Sequence, residues 1–213
     1  MVEIDGSQGE GGGQILRTAL TLSILTGQTL KISNIRANRK SPGLKPQHLK
    51  AVDAAAAISK ASVEGAFLHS TSLLFEPGSI RTGRYRFDIG TAGSTSLVLQ
   101  TIALPLCLAN SSSSVIITGG THVPWSPCFH YLNLHWRHFL VRIGFDLKLE
   151  MDLAGFYPQG GGKIRSTLRP AKLIAPLKLI DRGTLRRIYG ISAVANLDMS
   201  IARRQKHRAI QFL

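Results

Sequence analysis

The stretch MVEIDGSQGEGGGQILR, residues 1–17, decides the fold and the site predicted for this chain. A short strand is expected to run into a loop of five glycines around one carboxylate, Glu10, and then into an apolar helix that opens near Gln14. Glycines lose more backbone freedom on ordering than other residues, so such a loop is expected where the backbone approaches a bulky polar group. A helix N-terminus beside it favours an anion. The stretch predicts a site for a phosphate-bearing ligand, with a flexible surface turn as the alternative.

Two familiar nucleotide-binding motifs do not fit these glycines. The N-terminal loop lacks the Lys-Ser/Thr pair of a P-loop, and its GEGGG spacing is not that of the dinucleotide fingerprint. A second glycine run, PQGGGK at residues 158–163, has no Ser or Thr after it and is flanked by strand-like sequence. Neither run is therefore predicted to be a P-loop.

Composition favours a globular protein of one domain or slightly more. With 213 residues, 44% of them hydrophobic, the chain can bury a proper core. Glu3 and Asp5 interrupt the only candidate for a signal peptide, and the longest apolar run, residues 97–109, is too short to span a bilayer. Cys107 and Cys128 give no disulfide framework, and Cys107 is expected to pack inside an apolar helix. We expect a soluble, cytoplasmic protein with no membrane partner.

Positive charge is concentrated towards the end of the chain. Residues 1–152 carry 14 basic and 10 acidic side chains, whereas residues 153–213 carry 12 basic and 2 acidic ones. Two basic clusters stand out, RRIYG at residues 186–190 and RRQKHR at residues 203–208. Such a segment suits a polyanion such as nucleic acid, and a solvated surface is the alternative for any single Lys or Arg.

The order of helices and strands predicts a structural repeat of roughly 80 residues. In the first copy, the pattern indicates helices near residues 14–25 and 46–60, with strands near residues 29–35, 61–64 and 73–75. In the second copy, it indicates helices from GTAGS (90–94) to residue 109 and at 128–143, with strands at 115–118, 145–150 and 163–168. Because each unit must bury one sheet face against two helices, tandem copies are expected to form an α/β sandwich.

The pattern changes after Pro170. A proline-containing connector, residues 170–176, leads to a strand-like run at residues 187–194 and to a helix from about Met199 that has no closing glycine or proline. Since a lone strand and helix cannot bury their own apolar faces, the chain is expected to be cut short. The predicted domains are a large one over residues 1–180 and an incomplete one over residues 181–213.

These motifs resemble those of the RNA 3′-terminal phosphate cyclase family. The resemblance covers essentially residues 1–170 and is carried by DGSQGEGGGQILR (5–17), IRANRKSPGLKPQH (35–48), FDIGTAGSTSLVLQT (87–101), ITGGTHVPWSP (117–127) and GFYPQGGG (155–162). It implies a large domain of tandem βαβαββ-type units related to the enolpyruvyl transferase fold. It also implies a small α/β domain inserted late, whose beginning corresponds to the segment after about residue 181.

The resemblance also implies a reaction. The family uses ATP and a divalent metal, Mg²⁺ or Mn²⁺, to convert an RNA 3′-phosphate to a 2′,3′-cyclic phosphate. A histidine attacks the α-phosphate, AMP passes to the RNA 3′-phosphate, and the vicinal 2′-OH displaces AMP, which is a better leaving group than a phosphate oxygen. That histidine lies near the family's C-terminus, and none of the seven histidines here stands in a matching context. Activity of this chain alone is therefore expected to be absent.

Matching motifs imply the residues of the ATP site. Glu10, which is followed by Gly11 and Gly12 of the nucleotide site, corresponds to the carboxylate at the metal and ATP; a charge favoured by the helix dipole is the alternative. Arg17 lies one helical turn beyond the loop, so its guanidinium can return to the phosphate as a bidentate clamp. Gln100, a polar residue in an apolar helix, matches the family's nucleotide-contacting glutamine; a capping partner is the alternative.

A basic loop is predicted to bind the RNA end. Arg36, Arg39 and Lys40 follow a strand, and Gln47 and His48 open the next helix. They indicate a pocket for RNA phosphate or triphosphate, in which Arg36 and Arg39 join Arg17 in positioning phosphates. We expect His48 to contact the bound phosphate and not to transfer a proton; capping of the helix that it opens is the alternative.

The second repeat contains fewer candidate site residues. Pro124 is predicted to contact the nucleotide, and with Trp125 it can stack near the base, although packing fits both residues equally. His130, His135 and His138 lack a metal-site spacing and are interpreted as lining and surface residues.

Two other functions stay open from the sequence. One is a non-catalytic cyclase-like protein that binds RNA in ribosome assembly, and the other is an inactive truncated gene product that does not fold stably. The physiological RNA is not indicated, and neither a monomer nor a dimer is favoured.

Overall fold

The computed structural model describes residues Met1–Leu213, which divide by their contacts into two units, Met1–Pro176 and Leu177–Leu213. The first half of the larger unit consists of β1 (Val2–Asp5), α1 (Gly13–Thr26), β2 (Leu30–Ser33), α2 (Pro46–Ser59), β3 (Ser62–Glu64) and β4 (Leu73–Glu76). Its second half consists of β5 (Arg84–Asp88), α3 (Thr95–Cys107), β6 (Ser113–Gly119), α4 (Phe129–Tyr131), a π-helical turn (Leu132–Trp136), α5 (Arg137–Arg142), β7 (Asp146–Leu153) and β8 (Gly162–Arg169).

The two halves share one topology. The sheets have the orders β1-β2-β4-β3 and β5-β6-β8-β7. In each, the first strand pairs in parallel with the second, and the remaining two pairings are antiparallel. Each half is therefore a βαβαββ unit, and the predicted tandem α/β repeat is confirmed.

Equivalent aspartates mark the same turn in both halves. Asp5 Oδ1 accepts a hydrogen bond from the Ser7 backbone N–H at 2.9 Å, as Asp88 Oδ1 does from Gly90 at 2.9 Å. A side chain after the neighbouring parallel strand or at its end also donates to each carboxylate, Asn34 to Asp5 and Thr118 to Asp88. These hydrogen bonds lower the pKa of both carboxyl groups. The first strand of each unit thus enters its helix through a similar turn.

One hydrophobic core joins the two halves. Helices α1, α2 and α3 pack against one another, and their apolar stripes are buried. Along α1, Leu16, Ala19, Leu20 and Ile24 are buried at helical spacing, and Leu25 is partly buried. Cys107 is also buried, as expected for a packing cysteine. The polar ends of the helices are left to form the site.

Two sequence-based expectations need correction. The helix predicted over residues 128–143 begins at Phe129 and contains the π-helical turn Leu132–Trp136. The strand predicted over residues 187–194 is absent, because no neighbouring strand of the described chain offers it a hydrogen-bonding ladder. In the smaller unit, the predicted final helix is present as α6 (Met199–Gln211), and Asp198 caps its start by accepting from Ser200 N–H at 2.8 Å.

None of the helices is both long enough and apolar enough to cross a lipid bilayer.

Candidate functional site

Polar side chains of the next loop lie against the N-terminal glycines. A Cβ on Gly11 would lie 2.9 Å from Asn38 Nδ2, and one on Gly12 would lie 3.0 Å from Arg39 Nη2. A Cβ on Gly13 would overlap the ring of His48. Side chains therefore approach these glycines closely, and at Gly13 they leave no room for a Cβ. The approaching groups belong to the protein, and the predicted approach of a phosphate ligand stays a prediction.

The start of α1 is left open. Its N-cap residue, Gly12, offers no side-chain acceptor, so the first N–H groups of the helix have no capping partner. The equivalent start of α3 is closed: Ser94 Oγ accepts from Leu97 N–H at 3.3 Å, and Gln47 Oε1 accepts from Ser94 N–H at 2.9 Å. Of the two related helix starts, α1 is the one that can receive an anion.

Arg17 lies in this opening without a partner. Burial lowers the pKa of its guanidinium to about 10, which leaves it protonated at neutral pH. The guanidinium makes no hydrogen bond or ion pair, and a Cβ on Gly13 would lie 2.8 Å from Arg17 Nη1. A partly buried cation with unused donors is the arrangement expected of a group that binds an anionic ligand.

His48 is held neutral beside Arg17. It is only 5% exposed, and its Nδ1 accepts the Lys45 backbone N–H at 3.3 Å. Burial is the main cause that lowers the pKa of His48 to about 3, and nearby cations, Arg36 and Arg17 foremost, add to the effect. With Nδ1 occupied as an acceptor, the neutral ring carries its proton on Nε2, the atom that faces Gly13. His48 is therefore a hydrogen-bond donor towards the glycine loop.

The basic loop after β2 also meets the glycine loop. Arg39 Nη2 donates to Glu10 Oε2 at 2.9 Å in an exposed ion pair. Arg36 adopts a left-handed backbone (φ +56°), and its Nη1 donates to the carbonyls of Ser41 and Gly43. Burial, followed by repulsion from Arg39, lowers the pKa of Arg36. Arg36 thus shapes its own loop, and its remaining donors are unused.

The other residues predicted for the RNA end differ in their surroundings. Lys40 is exposed on the same loop and has no ion-pair or hydrogen-bonding partner. Gln47 uses Oε1 to cap α3, so only its amide nitrogen is free to contact a ligand. Lys40 can therefore contact a ligand through its unpaired ammonium group, whereas Gln47 can do so only through its amide nitrogen.

A cleft of about 450 Å³ lies between α1 and α3 and the loop after β6. It brings together three residues that the sequence placed in separate motifs, Arg17, Gln100 and Trp125. Trp125 is fully exposed and has a left-handed backbone (φ +61°). Pro124 does not line this cleft, although Pro127 does, and Glu10 and Arg36 lie outside its lining.

The sequence analysis missed several polar residues of the cleft. Gln14, Thr18 and Thr21 line it from α1, and Thr101 lines it from α3. Thr21 Oγ1 donates to the Thr101 carbonyl at 2.8 Å and so links the two helices. A signal was present, because Gln14, Arg17, Thr18 and Thr21 form a polar stripe with helical spacing along α1.

Protein groups alone do not form a complete metal site. No cluster of three or more His, Cys, Asp or Glu side chains occurs in the chain, and Glu10 is the one carboxylate at the glycine loop. A single exposed carboxylate fits a divalent cation that also takes oxygens from phosphates and water, as Mg²⁺ usually does. Glu10 therefore fits a cation that arrives with a phosphate ligand.

A model of the family described as RNA 3′-terminal phosphate cyclase matches residues 8–209. The chain belongs to this family. It is 49% identical over its full length to the RNA 3′-terminal phosphate cyclase of Caldivirga maquilingensis, covering 60% of that protein. It is 48% identical over its full length to that of Archaeoglobus fulgidus, covering 64%, and 50% identical over 96% of its length to that of Ralstonia nicotianae, covering 59%. The chain thus spans about three fifths of the length of these relatives.

Among solved structures, the chain is similar to an EPSP synthase from Acinetobacter baumannii. The match has a TM-score of 0.47 and 16% identity, and it covers 81% of this chain and 31% of the other. The α/β assignment stands on the repeated topology of the two sheets.

Proposed function

We propose that this chain carries the ATP- and RNA-end-binding scaffold of an enzyme that converts an RNA 3′-phosphate to a 2′,3′-cyclic phosphate in the cytoplasm. The observation that carries the proposal is Arg17, a partly buried guanidinium without a partner between the open start of α1 and the cleft. Such a cation is stabilised when a phosphate replaces its lost hydration. Family membership supports ATP and an RNA 3′-phosphate as the phosphate compounds that the site would take.

ATP fits the open end of α1 and the cleft. Its phosphates would meet the uncapped N–H groups beside Gly11 and Gly12 together with the Arg17 guanidinium. Gln100 and Trp125 line the same cleft and would contact the adenosine through a side-chain amide and an aromatic face. Pro124 precedes Trp125 and would act by shaping that loop. Glu10 would hold the Mg²⁺ or Mn²⁺ that accompanies the phosphates.

The basic loop would bind the RNA 3′-phosphate. Arg36 has free donors, Arg39 lies against the glycine loop, and Lys40 is exposed and unpaired. Neutral His48 would donate from Nε2, and Gln47 from its amide nitrogen. Because His48 is a fixed neutral donor, it would orient a phosphate oxygen and would not take up a proton at physiological pH.

ATP supplies the adenylyl group that turns the RNA phosphate into an activated phosphoanhydride in the family's reaction. This chain's residues would contribute charge neutralisation and alignment to that step. We assign the attacking histidine to none of the seven in the chain, so we expect the chain incubated with labelled ATP and Mg²⁺ to form no covalent AMP adduct. A stoichiometric adduct on any of these histidines would contradict that assignment.

The decisive experiment compares Arg17→Gln, Arg17→Lys and Arg142→Gln by titration calorimetry with ATP and Mg²⁺. Arg142 is exposed on α5 and outside the cleft, so its variant matches the loss of charge. Hydrogen bonds to charged groups contribute about 1.5–3 kcal/mol, so Arg17→Gln should weaken ATP binding by about tenfold or more. Arg17→Lys should recover part of the loss, and Arg142→Gln should bind as the unchanged chain does. ATP affinity unaffected by Arg17→Gln would refute the proposed site.

A further inference from the structure

Two histidines of the larger unit meet at the two ends of one loop. His122 follows β6, and His130 lies in α4. His122 Nε2 and His130 Nδ1 are 2.9 Å apart, and the centroids of the two rings are 5.1 Å apart. The loop between them carries Trp125 and Pro127, which line the cleft. The histidine pair therefore joins the ends of the segment that forms one wall of the cleft.

The ring of His122 is held in place through its other nitrogen. His122 Nδ1 is 2.8 Å from Thr121 Oγ1. Thr121 is buried, and its Oγ1 accepts the Gly155 backbone N–H at 2.9 Å. Phe156 stacks on the imidazole, with the ring centroids 5.4 Å apart. In protein metal sites, a hydrogen bond to the far nitrogen of a histidine fixes the ring and its tautomer. His122 has such a support before any ion is bound.

The surroundings of His122 allow the tautomer that a metal ion requires. Thr121 Oγ1 can accept a proton from His122 Nδ1, because its own hydroxyl proton has a second acceptor, the Gly155 carbonyl at 3.4 Å. The lone pair of His122 is then on Nε2, the atom that faces His130. Burial, followed by the charge of His130, lowers the pKa of His122, so that this ring is neutral at physiological pH. Neutral imidazole is the form that binds metal ions.

We propose that His122 Nε2 and His130 Nδ1 together bind a divalent transition-metal ion, of which Zn²⁺ is the representative. Imidazole nitrogen suits Zn²⁺, Ni²⁺ and Cu²⁺, whereas Mg²⁺ takes oxygen ligands. Two nitrogens at 2.0–2.1 Å from a tetrahedral ion lie about 3.3 Å apart, so the pair would open by about 0.4 Å. Water would complete the coordination, since no third His, Cys, Asp or Glu joins the pair.

This site is separate in chemistry from the one proposed at Glu10. Glu10 offers one carboxylate to a cation that arrives with a phosphate, whereas the histidine pair offers two nitrogens and needs no phosphate. The inference uses only the geometry of the loop and does not depend on the reaction. With two protein ligands and water at the remaining positions, the ion would exchange with the solution, and its effect would depend on its concentration.

A bound ion would stabilise the wall of the cleft. It would connect His122 to His130 directly and so restrict the loop that carries Trp125, whose side chain is fully exposed. Because the folded loop brings the two nitrogens together, the ion binds the folded chain more tightly than the unfolded one and raises its stability. The expected result is a melting temperature that increases with Zn²⁺ concentration.

The first test is titration calorimetry of the whole untagged chain with ZnCl₂, and separately with MgCl₂, in the absence of nucleotide. We expect one Zn²⁺ per chain at this site and no saturable binding of Mg²⁺ there. The variants are His122→Gln and His130→Asn, whose amides keep a hydrogen-bonding group near the position of the ligating nitrogen. The control is the double variant His135→Gln with His138→Gln, which removes two exposed histidines of the next helical segment.

Each variant of the pair should bind Zn²⁺ at least about tenfold more weakly, since loss of even a supporting partner of a metal ligand costs 10–100-fold. The control should bind as the unchanged chain does. Zn²⁺ should raise the melting temperature of the unchanged chain and of the control, and it should leave those of His122→Gln and His130→Asn unchanged. Equal Zn²⁺ affinity in the variants and the control would overturn the proposal, as would an unchanged chain that binds no Zn²⁺.

A second measurement does not depend on the folding of a variant. Nitrogen-15 NMR of the unchanged chain, labelled at histidine, should show that Zn²⁺ shifts His122 Nε2 and His130 Nδ1 and leaves His135 unaffected. Shifts confined to other histidines would overturn the proposal. Arg17→Gln should weaken binding of ATP with Mg²⁺ and leave Zn²⁺ binding unchanged. Loss of Zn²⁺ binding in Arg17→Gln would place the ion at the phosphate site and would contradict a site on the histidine pair.

Discussion

Gln47 Oε1 accepts a hydrogen bond from the backbone N–H of Ser94 at 2.9 Å, which ties the second helix of one repeat to the first helix of the other. The side chain of Gln47 also packs on Gly93, where an added Cβ would lie 2.8 Å from Gln47 Cβ. One glutamine thus closes a helix start and joins the two halves of the larger unit.

Replacing Gln47 with Leu should destabilise the fold. The change leaves the partly buried Ser94 N–H without an acceptor, which costs about 1–3 kcal/mol. Urea unfolding measures the difference. Gln47→Glu keeps an acceptor oxygen and should lose less stability, so equal losses for the two variants would show that packing, and not the hydrogen bond, is responsible.

Gly13→Ala should be harmful although alanine normally stabilises a helix by about 1 kcal/mol relative to glycine. The added Cβ would overlap the His48 ring and lie 2.8 Å from Arg17 Nη1, so both side chains would have to move. We expect a lower melting temperature and weaker ATP binding. Gly190→Ala is the matched control, since no atom lies within 4 Å of the Cβ it would add.

His48 should make the stability of the fold depend on pH. Its folded-state pKa of about 3 lies below the ordinary histidine value of 6.5, so the unfolded chain binds the proton more readily. The contribution is complete above pH 6.5 and is lost, at up to about 1.4 kcal/mol per pH unit, as the pH falls towards 3. His48→Gln should flatten this part of the curve in chemical unfolding, whereas His135→Gln, an exposed position, should not. A slope that survives in His48→Gln would assign it to other groups.

Trp125→Ala should weaken ATP binding without loss of stability. The side chain is fully exposed, so its removal creates no cavity, and stacking of a base on an aromatic ring contributes about 1–3 kcal/mol. Calorimetry with ATP and thermal unfolding measure the two quantities. Trp125→Phe should retain most of the affinity. A drop in melting temperature would instead indicate that Trp125 packs in the fold.

Sequence patterns predicted the fold where the determinants are local. Hydrophobic spacing located α1 and α2, and glycines and prolines marked the turns, so the repeat followed from short segments. The strand expected over residues 187–194 is wrong because a strand depends on a partner that the local sequence does not supply. The π-helical turn Leu132–Trp136 was not predicted either, because the hydrophobic spacing of this segment also fits an ordinary α-helix.

Only part of the cleft was predicted, because local motifs identify candidate residues but do not show which distant residues pair. Arg17, Gln100 and Trp125 come from three motifs and share one cleft. Long-range pairings were not predicted, among them the Arg39–Glu10 ion pair and the capping of α3 by Gln47, because they join residues far apart in sequence. Whether the assigned residues bind ATP and RNA stays a prediction.

Two copies of the same βαβαββ unit would be expected to offer two equivalent anion-binding helix starts, one in each half. The asymmetry between Gly12 and Ser94 breaks that equivalence, since Ser94 caps the helix start of the second half and Gln47 of the first half closes it further. A phosphate ligand therefore has one open helix start to bind, that of α1. Introducing the equivalents of Ser94 and Gln47 at the start of α1 should abolish binding of the phosphate and increase the stability of the fold.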